Sequence, residues 1–166
     1  MTAASFRFCG KVFAVDYETH SVAQTETVAA ELARTLGPGA TIALHGNLGA
    51  GKTQFVRGLL VGLGGSARTV SSPTYVLLNI YDTGRLPLFH LDAYRVHGPE
   101  DFEAIGFTEL LDQGGIVVVE WADRITALLP SNSIHIRIEP IDVSARRITI
   151  DRPVTADPQP PTINPR

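Results

Sequence analysis

The sequence predicts an α/β fold in three layers, a mixed, mostly parallel sheet flanked by helices. Three observations predict it. Residues 40–45 and Ile116–Glu120 are short continuous apolar runs, which read as buried strands. Val28, Ala29, Leu32, Ala33 and Leu36, and again Phe55, Val56, Leu59 and Leu60, recur at helical spacing. Between the first run and the second helix stands a glycine-rich loop, so strand, loop and helix follow without a linker.

The elements follow in order. Residues 6–17 are strand-rich, with Phe6, Phe8, Val12, Phe13 and Val15. The first helix has Ser21 or Thr25 to cap it and Gly37-Pro38-Gly39 to stop it. The second helix ends at Gly62, Gly64 and Gly65. Residues 75–81 and 86–91, with Asp82-Thr83-Gly84 between them, read as a hairpin. Gly98-Pro99-Glu100-Asp101 starts a helix, with proline and acids at its favourable end. A short helix over 123–128 ends before Pro130, and residues 133–139 and 146–151 alternate as two late strands. One domain is expected over residues 1–152, with no internal repeat. From Pro153 on, the chain holds five of its eleven prolines and little apolar content, so 153–166 is expected to be a disordered tail.

Residues 46–53, Gly46-Asn47-Leu48-Gly49-Ala50-Gly51-Lys52-Thr53, complete the spacing G-x-x-x-x-G-K-[ST]. Each fixed position has a mechanical role. Gly46 and Gly51 let the backbone turn around an anion without a Cβ in the way. The loop N–H groups cradle phosphate oxygens, Lys52 brings a positive charge to the β- and γ-phosphates, and the Thr53 hydroxyl suits Mg²⁺. The following helix adds its positive end. With this loop the fold class becomes a three-layer P-loop NTPase fold.

Two further constellations accompany the loop. Glu120 ends a strand expected to run parallel to the loop's strand, so it should face the phosphates and serve Mg²⁺, in a position where Asp is usual. In His90-Leu91-Asp92-Ala93-Tyr94-Arg95 the period-two rule puts His90, Asp92 and Tyr94 on one face. Asp92 suits orienting or deprotonating an attacking water, or holding a water on Mg²⁺. His90, Asp92 and His97 are also zinc-ligand types. Ser71-Ser72-Pro73-Thr74 fits either a γ-phosphate contact or a plain turn, and Trp121 either a packing residue or a reporter of nucleotide state.

Bulk properties exclude other classes. The chain has 166 residues, 44% hydrophobic and 19% charged, with no apolar run of membrane-spanning length. The start of the sequence lacks a secretory pattern, and the single cysteine, Cys9, cannot form an internal disulfide and is expected to be a buried bystander; both suit the cytoplasm. A net charge of −3 does not support strong independent nucleic-acid binding. Lys11 and Lys52 are the only lysines, so an Asn-Lys-x-Asp guanine-reading motif is absent.

The loop at 46–53, Ser72-Pro73-Thr74-Tyr75, the motif at 90–95 and Val119-Glu120-Trp121 occur in this order. That series closely resembles the TsaE (YjeE) family of small bacterial ATPases, over about residues 25–130. The resemblance implies a part in making threonylcarbamoyladenosine at position thirty-seven of tRNAs. It implies TsaD and TsaB type partners, a complex reset by ATP hydrolysis, and no transfer of the threonylcarbamoyl group by this chain. It implies ATP and Mg²⁺ as cofactors, with Thr53 and Glu120 holding the metal, Asp92 acting in hydrolysis and Thr25 lying near the nucleotide. Asn47 stands where the family commonly has Asp. It keeps a hydrogen-bonding side chain, so phosphate binding is expected to survive. No arginine finger is identifiable; Arg95, Arg124 or a partner's arginine would have to serve. Hydrolysis in isolation is therefore expected to be weak, and the rival reading is an interaction module that uses nucleotide as a structural prop. A small-molecule kinase would commonly carry a long arginine-bearing lid, for which the sequence shows no insertion.

Overall fold

In the computed structural model, which describes residues 2–9 and 12–153, the chain runs through eight strands and four α-helices. They are β1 (Thr2–Cys9), β2 (Val12–Thr19), α1 (Val22–Thr35), β3 (Thr41–His45), α2 (Lys52–Gly62), β4 (Leu78–Tyr81), β5 (Leu88–Asp92), α3 (Pro99–Ala104), α4 (Phe107–Asp112), β6 (Ile116–Glu120), β7 (Ile134–Pro140) and β8 (Arg146–Pro153). Short 3-10 helices occupy Ala67–Thr69 and Ala122–Leu128. The Cys9 side chain and residues 154–166, most of the expected tail, lie outside the described part. Pro153 itself belongs to β8, paired with Val12.

One sheet has the order β1-β2-β8-β7-β3-β6-β5-β4. The expected mixed sheet is present, but its parallel part is smaller than "mostly" implies. Only the contacts β7–β3, β3–β6 and β6–β5 are parallel, and the four others are antiparallel. The reason is connection length. The β1–β2, β4–β5 and β7–β8 links are short returns, which force three of the antiparallel pairings, whereas parallel neighbours need long crossovers; the fourth, β2 with β8, joins distant parts of the chain.

Helices cover both faces of the centre. On one face α1 and α2 pack Val28, Leu32, Phe55 and Leu59 over Ile42, Leu44, Val118 and Ile136. On the other, Phe102, Phe107, Leu110 and Ile125 pack over Ala43, Phe89, Val117 and Val119. Every residue of β3, β5 and β6 is therefore buried. A side chain such as Phe55, fully buried, contributes about 1.5–3 kcal/mol relative to exposure. α1 and α2 approach so closely that a Cβ on Gly58 or Gly62 would overlap the backbone of Glu26 or Ala30.

Local chemistry decided the boundaries that differ from expectation. Ser21 is the N-cap of α1, accepting from the Gln24 N–H at 3.2 Å, so Thr25 lies inside the helix. The strand expected over 75–81 begins only at Leu78. The N–H groups of Val76 and Leu77 both turn back to the Pro73 carbonyl, at 3.0 and 2.7 Å, and Leu77 has φ 69°. The helix expected after Gly98 is broken into α3 and α4 at Gly106, whose φ of 71° no continuous helix accommodates. The helix over 123–128 is a 3-10 segment kinked at Ile125.

Candidate functional site

β3 delivers the chain to the loop, and α2 takes it away. Gly46 (φ 146°), Gly49 (φ 76°) and Gly51 (φ 109°) hold backbone angles that favour glycine. Gly46 also seats against β7, where an added Cβ would meet the Ile138 carbonyl oxygen at 2.5 Å. The Lys52 ammonium is buried in this loop. It donates to the Gly46 carbonyl at 2.7 Å and the Asn47 carbonyl at 3.1 Å, and lies 3.8 Å from the Trp121 ring centroid. The Asn47 contact is through its backbone, so Asn in place of Asp leaves it unchanged. Burial pushes Lys52 below the usual lysine range, and Glu120, Asp92 and Asp123 pull it back up.

Two carboxylates end adjacent parallel strands. Asp92 and Glu120 are register partners at the C-terminal ends of β5 and β6, 2% and 3% exposed. A buried carboxylate needs hydrogen-bond donors, and both have them. Glu120 Oε1 accepts from the Thr53 hydroxyl at 2.8 Å and pairs with His90 Nε2 at 2.9 Å. His90 is fully buried and its Nδ1 has no hydrogen-bond partner. The proton therefore belongs on Nε2, an assignment from the bonding pattern. Asp92 Oδ2 accepts from the Thr74 hydroxyl at 2.6 Å and from Ser72 at 3.5 Å; its Oδ1 accepts from the Tyr94 N–H at 2.8 Å. The segment around Pro73 is thus tied to Asp92.

Aromatic rings flank this edge. Trp121, in a left-handed conformation (φ 58°), lies 5.0 Å from Tyr94 between ring centroids. Of the finger candidates, Arg124 lies 5.8 Å over Tyr94 and Arg95 4.4 Å over Tyr75. The buried Thr25 hydroxyl pairs with that of Thr19 at 2.9 Å. Leu48, at the tip of the loop, is exposed.

Two features had no sequence signal. Arg146 donates through Nε to the Ala50 carbonyl at 3.0 Å. On the face of the sheet away from α2, His45 joins Asp123 at 2.7 Å and stacked His135 at 3.0 Å. The His45–Asp123 pair borders a groove of about 230 Å³ that also touches Gly46, Asn47, Trp121 and residues 137–140. These contacts join residues 78 to 96 positions apart.

The donor set at the loop is hard oxygen, from Thr53 and Glu120. That suits Mg²⁺, which takes few protein ligands and completes its shell with phosphate and water. Among the described residues, no group of three His, Cys, Asp or Glu could hold a metal ion. The zinc set His90, Asp92 and His97 is accordingly not assembled, and the His90 imidazole is committed through Nε2 to Glu120 at 2.9 Å. No helix among the described residues is long and apolar enough to cross a membrane.

A family model described as Threonylcarbamoyl adenosine biosynthesis protein TsaE matches residues 19–148. A Treponema pallidum protein described as tRNA threonylcarbamoyladenosine biosynthesis protein TsaE is 41% identical over 117 residues, 70% of this chain and 85% of its own length. A Bacillus subtilis protein of the same description is 37% identical over 133 residues, 80% of this chain and 82% of its own. Among solved structures, the crystal structure of Bacillus subtilis YdiB is similar with a TM-score of 0.70 and 30% identity, covering 89% of this chain and 90% of that one. The matched segment extends past residues 25–130 to take in β7 and the first residues of β8.

Proposed function

Because this chain belongs to the Threonylcarbamoyl adenosine biosynthesis protein TsaE family, we propose that it is a cytoplasmic, Mg²⁺-dependent ATPase of tRNA threonylcarbamoyladenosine formation. Its role there is to bind and reset a TsaD–TsaB type complex. The observation that carries this reading is the convergence of Thr53, Glu120 and Asp92 at the strand ends beside the glycine loop. ATP with Mg²⁺ would supply the scissile phosphoanhydride and neutralise charge on its oxygens.

The chain's own groups have the following roles. The loop amides and Lys52 hold the β- and γ-phosphates, with Lys52 leaving the Gly46 and Asn47 carbonyls to do so. Thr53 and Glu120 would hold the metal, and His90 keeps Glu120 oriented through its Nε2 proton. Asp92 orients water for in-line attack and takes its proton, while Thr74 and the Tyr94 N–H fix the carboxylate. Residues 46–53 carry the phosphate contacts and Thr25 lies near the nucleotide, within a single ATPase unit over residues 1–152.

One observation favours the rival reading, a nucleotide-dependent interaction module. Arg95 and Arg124 rest on aromatic rings, so neither is committed to the loop. Hydrolysis is therefore expected to be slow in isolation and faster with the partner pair. The test measures ATP binding and phosphate release, alone and with TsaD and TsaB type proteins. Lys52→Ala is expected to lose binding. Asp92→Ala is expected to keep binding and lose about a hundredfold or more in turnover. Turnover that the partners do not stimulate would favour the module, and wild-type turnover from Asp92→Ala would remove Asp92 from the mechanism.

A further inference from the structure

The β7–β8 hairpin grips the phosphate loop from outside at two points. Gly46 seats against the Ile138 carbonyl, and Ala50 is held by Arg146. Among the described residues Arg146 makes no carboxylate pair, and its acceptors are carbonyls. Nε donates to Ala50 at 3.0 Å, and Nη1 donates to Asp142 at 3.0 Å, Ala145 at 2.9 Å and Val143 at 3.5 Å. The turn is built to present those carbonyls. The Asp142 carboxylate accepts from the Ser144 and Ala145 N–H groups, both at 2.7 Å, and the Ile141 N–H closes on the Ala145 carbonyl at 2.9 Å.

The consequence lies in one peptide plane. The Ala50 carbonyl and the Gly51 N–H belong to the same trans peptide, so they point to opposite sides. Pinning the oxygen outward fixes the N–H inward. A cationic donor on the oxygen also polarises the amide and strengthens its N–H as a donor. We propose that Arg146 is a positioning residue for phosphate, which fixes and polarises the Ala50–Gly51 peptide so that the Gly51 N–H is aimed at the anion. The inference rests on the nucleotide reading of this loop.

The test titrates the full chain, wild type, Arg146→Met and Arg146→Lys, with inorganic pyrophosphate and with ADP, and follows ATP turnover and amide exchange at residues 50–52. Arg146→Met is expected to weaken pyrophosphate and ADP by the same factor, about tenfold, the worth of one hydrogen bond from a charged group. KM for ATP should rise with kcat within about twofold, loop amides should exchange faster, and Arg146→Lys should recover part of the loss. Three results would overturn the proposal. ADP alone weakened would mean that Arg146 serves the nucleoside. A fall in kcat with KM unchanged would mean that it acts on the transition state. Unchanged binding would mean that it only staples the hairpin. Should Arg146→Met not fold, Asp142→Ala loosens the turn while keeping the guanidinium; a loss of about threefold on both ligands is expected, and no loss overturns the proposal. A wild-type chain that binds neither ligand would sink the nucleotide reading itself, and this inference with it.

Discussion

The centre and the wing of the sheet differ in burial, and their chemistry follows that difference. β3, β5 and β6 are buried along their whole length, and each ends in a polar residue at the same edge: His45, Asp92 and Glu120. β7 and β8 instead alternate, with Ile136, Ile138, Ile148 and Ile150 inward and residues such as Arg137 and Arg147 outward. A polar group closing a buried strand cannot rely on water, so each is held by designated donors or acceptors. That is the condition an ordered catalytic edge needs. The wing contributes differently, by supporting the loop from outside through Ile138 and Arg146.

Glu120→Gln should separate the two regions most sharply. It keeps the shape but removes the charge that would hold the proposed metal, so turnover with the partner pair is expected to fall about a thousandfold, or roughly 4 kcal/mol of transition-state stabilisation. A loss under tenfold would mean that the centre's edge is structural only. Next, Ile42→Ala removes a fully buried side chain under α1 and α2 and should cost about 2–5 kcal/mol in denaturant unfolding. The wing counterpart, Thr149→Ala, removes the hydrogen bond from Thr149 to Asp16, 2.7 Å long, and should cost about 1 kcal/mol. Equal costs for these two would erase the distinction between centre and wing.

The smallest effect concerns pH. Burial first, and then the neighbouring His45, hold His135 below its usual 6.5, against the opposing pull of Asp151 and Asp123. The unfolded chain therefore takes a proton before the fold does. Stability should fall as pH drops below about 6.5, with the loss complete once pH is below the lowered folded value. In His135→Gln, melting temperatures at roughly pH 7.5 and roughly pH 5.5 should lie closer together than in the wild type. An unchanged gap would acquit His135.

The same contrast explains what the sequence made legible. The centre announces itself locally: an apolar run, a terminal polar residue, and a glycine loop leading into a helix are each contiguous. Loop, Thr53, Asp92 and Glu120 were readable for that reason. The turn at Leu77 was not, because residues 75–81 have strand composition while the Pro73 carbonyl captures two N–H groups. The sequence marks the start of a helix at residues 98–101, and Gly106 then divides it into α3 and α4. Arg146 on Ala50, and His45 with Asp123 and His135, depend on which strand lies beside which, and no spacing encodes that.

The most direct test is a crystal structure with Mg²⁺ and a non-hydrolysable ATP analogue. Thr53 and Glu120 oxygens are expected on the metal, the Asp92 carboxylate facing the terminal phosphate, and the Lys52 ammonium moved from Trp121 onto the phosphates. A nucleotide seated away from residues 46–53, or an Asp92 directed away from the terminal phosphate, would contradict the proposed function.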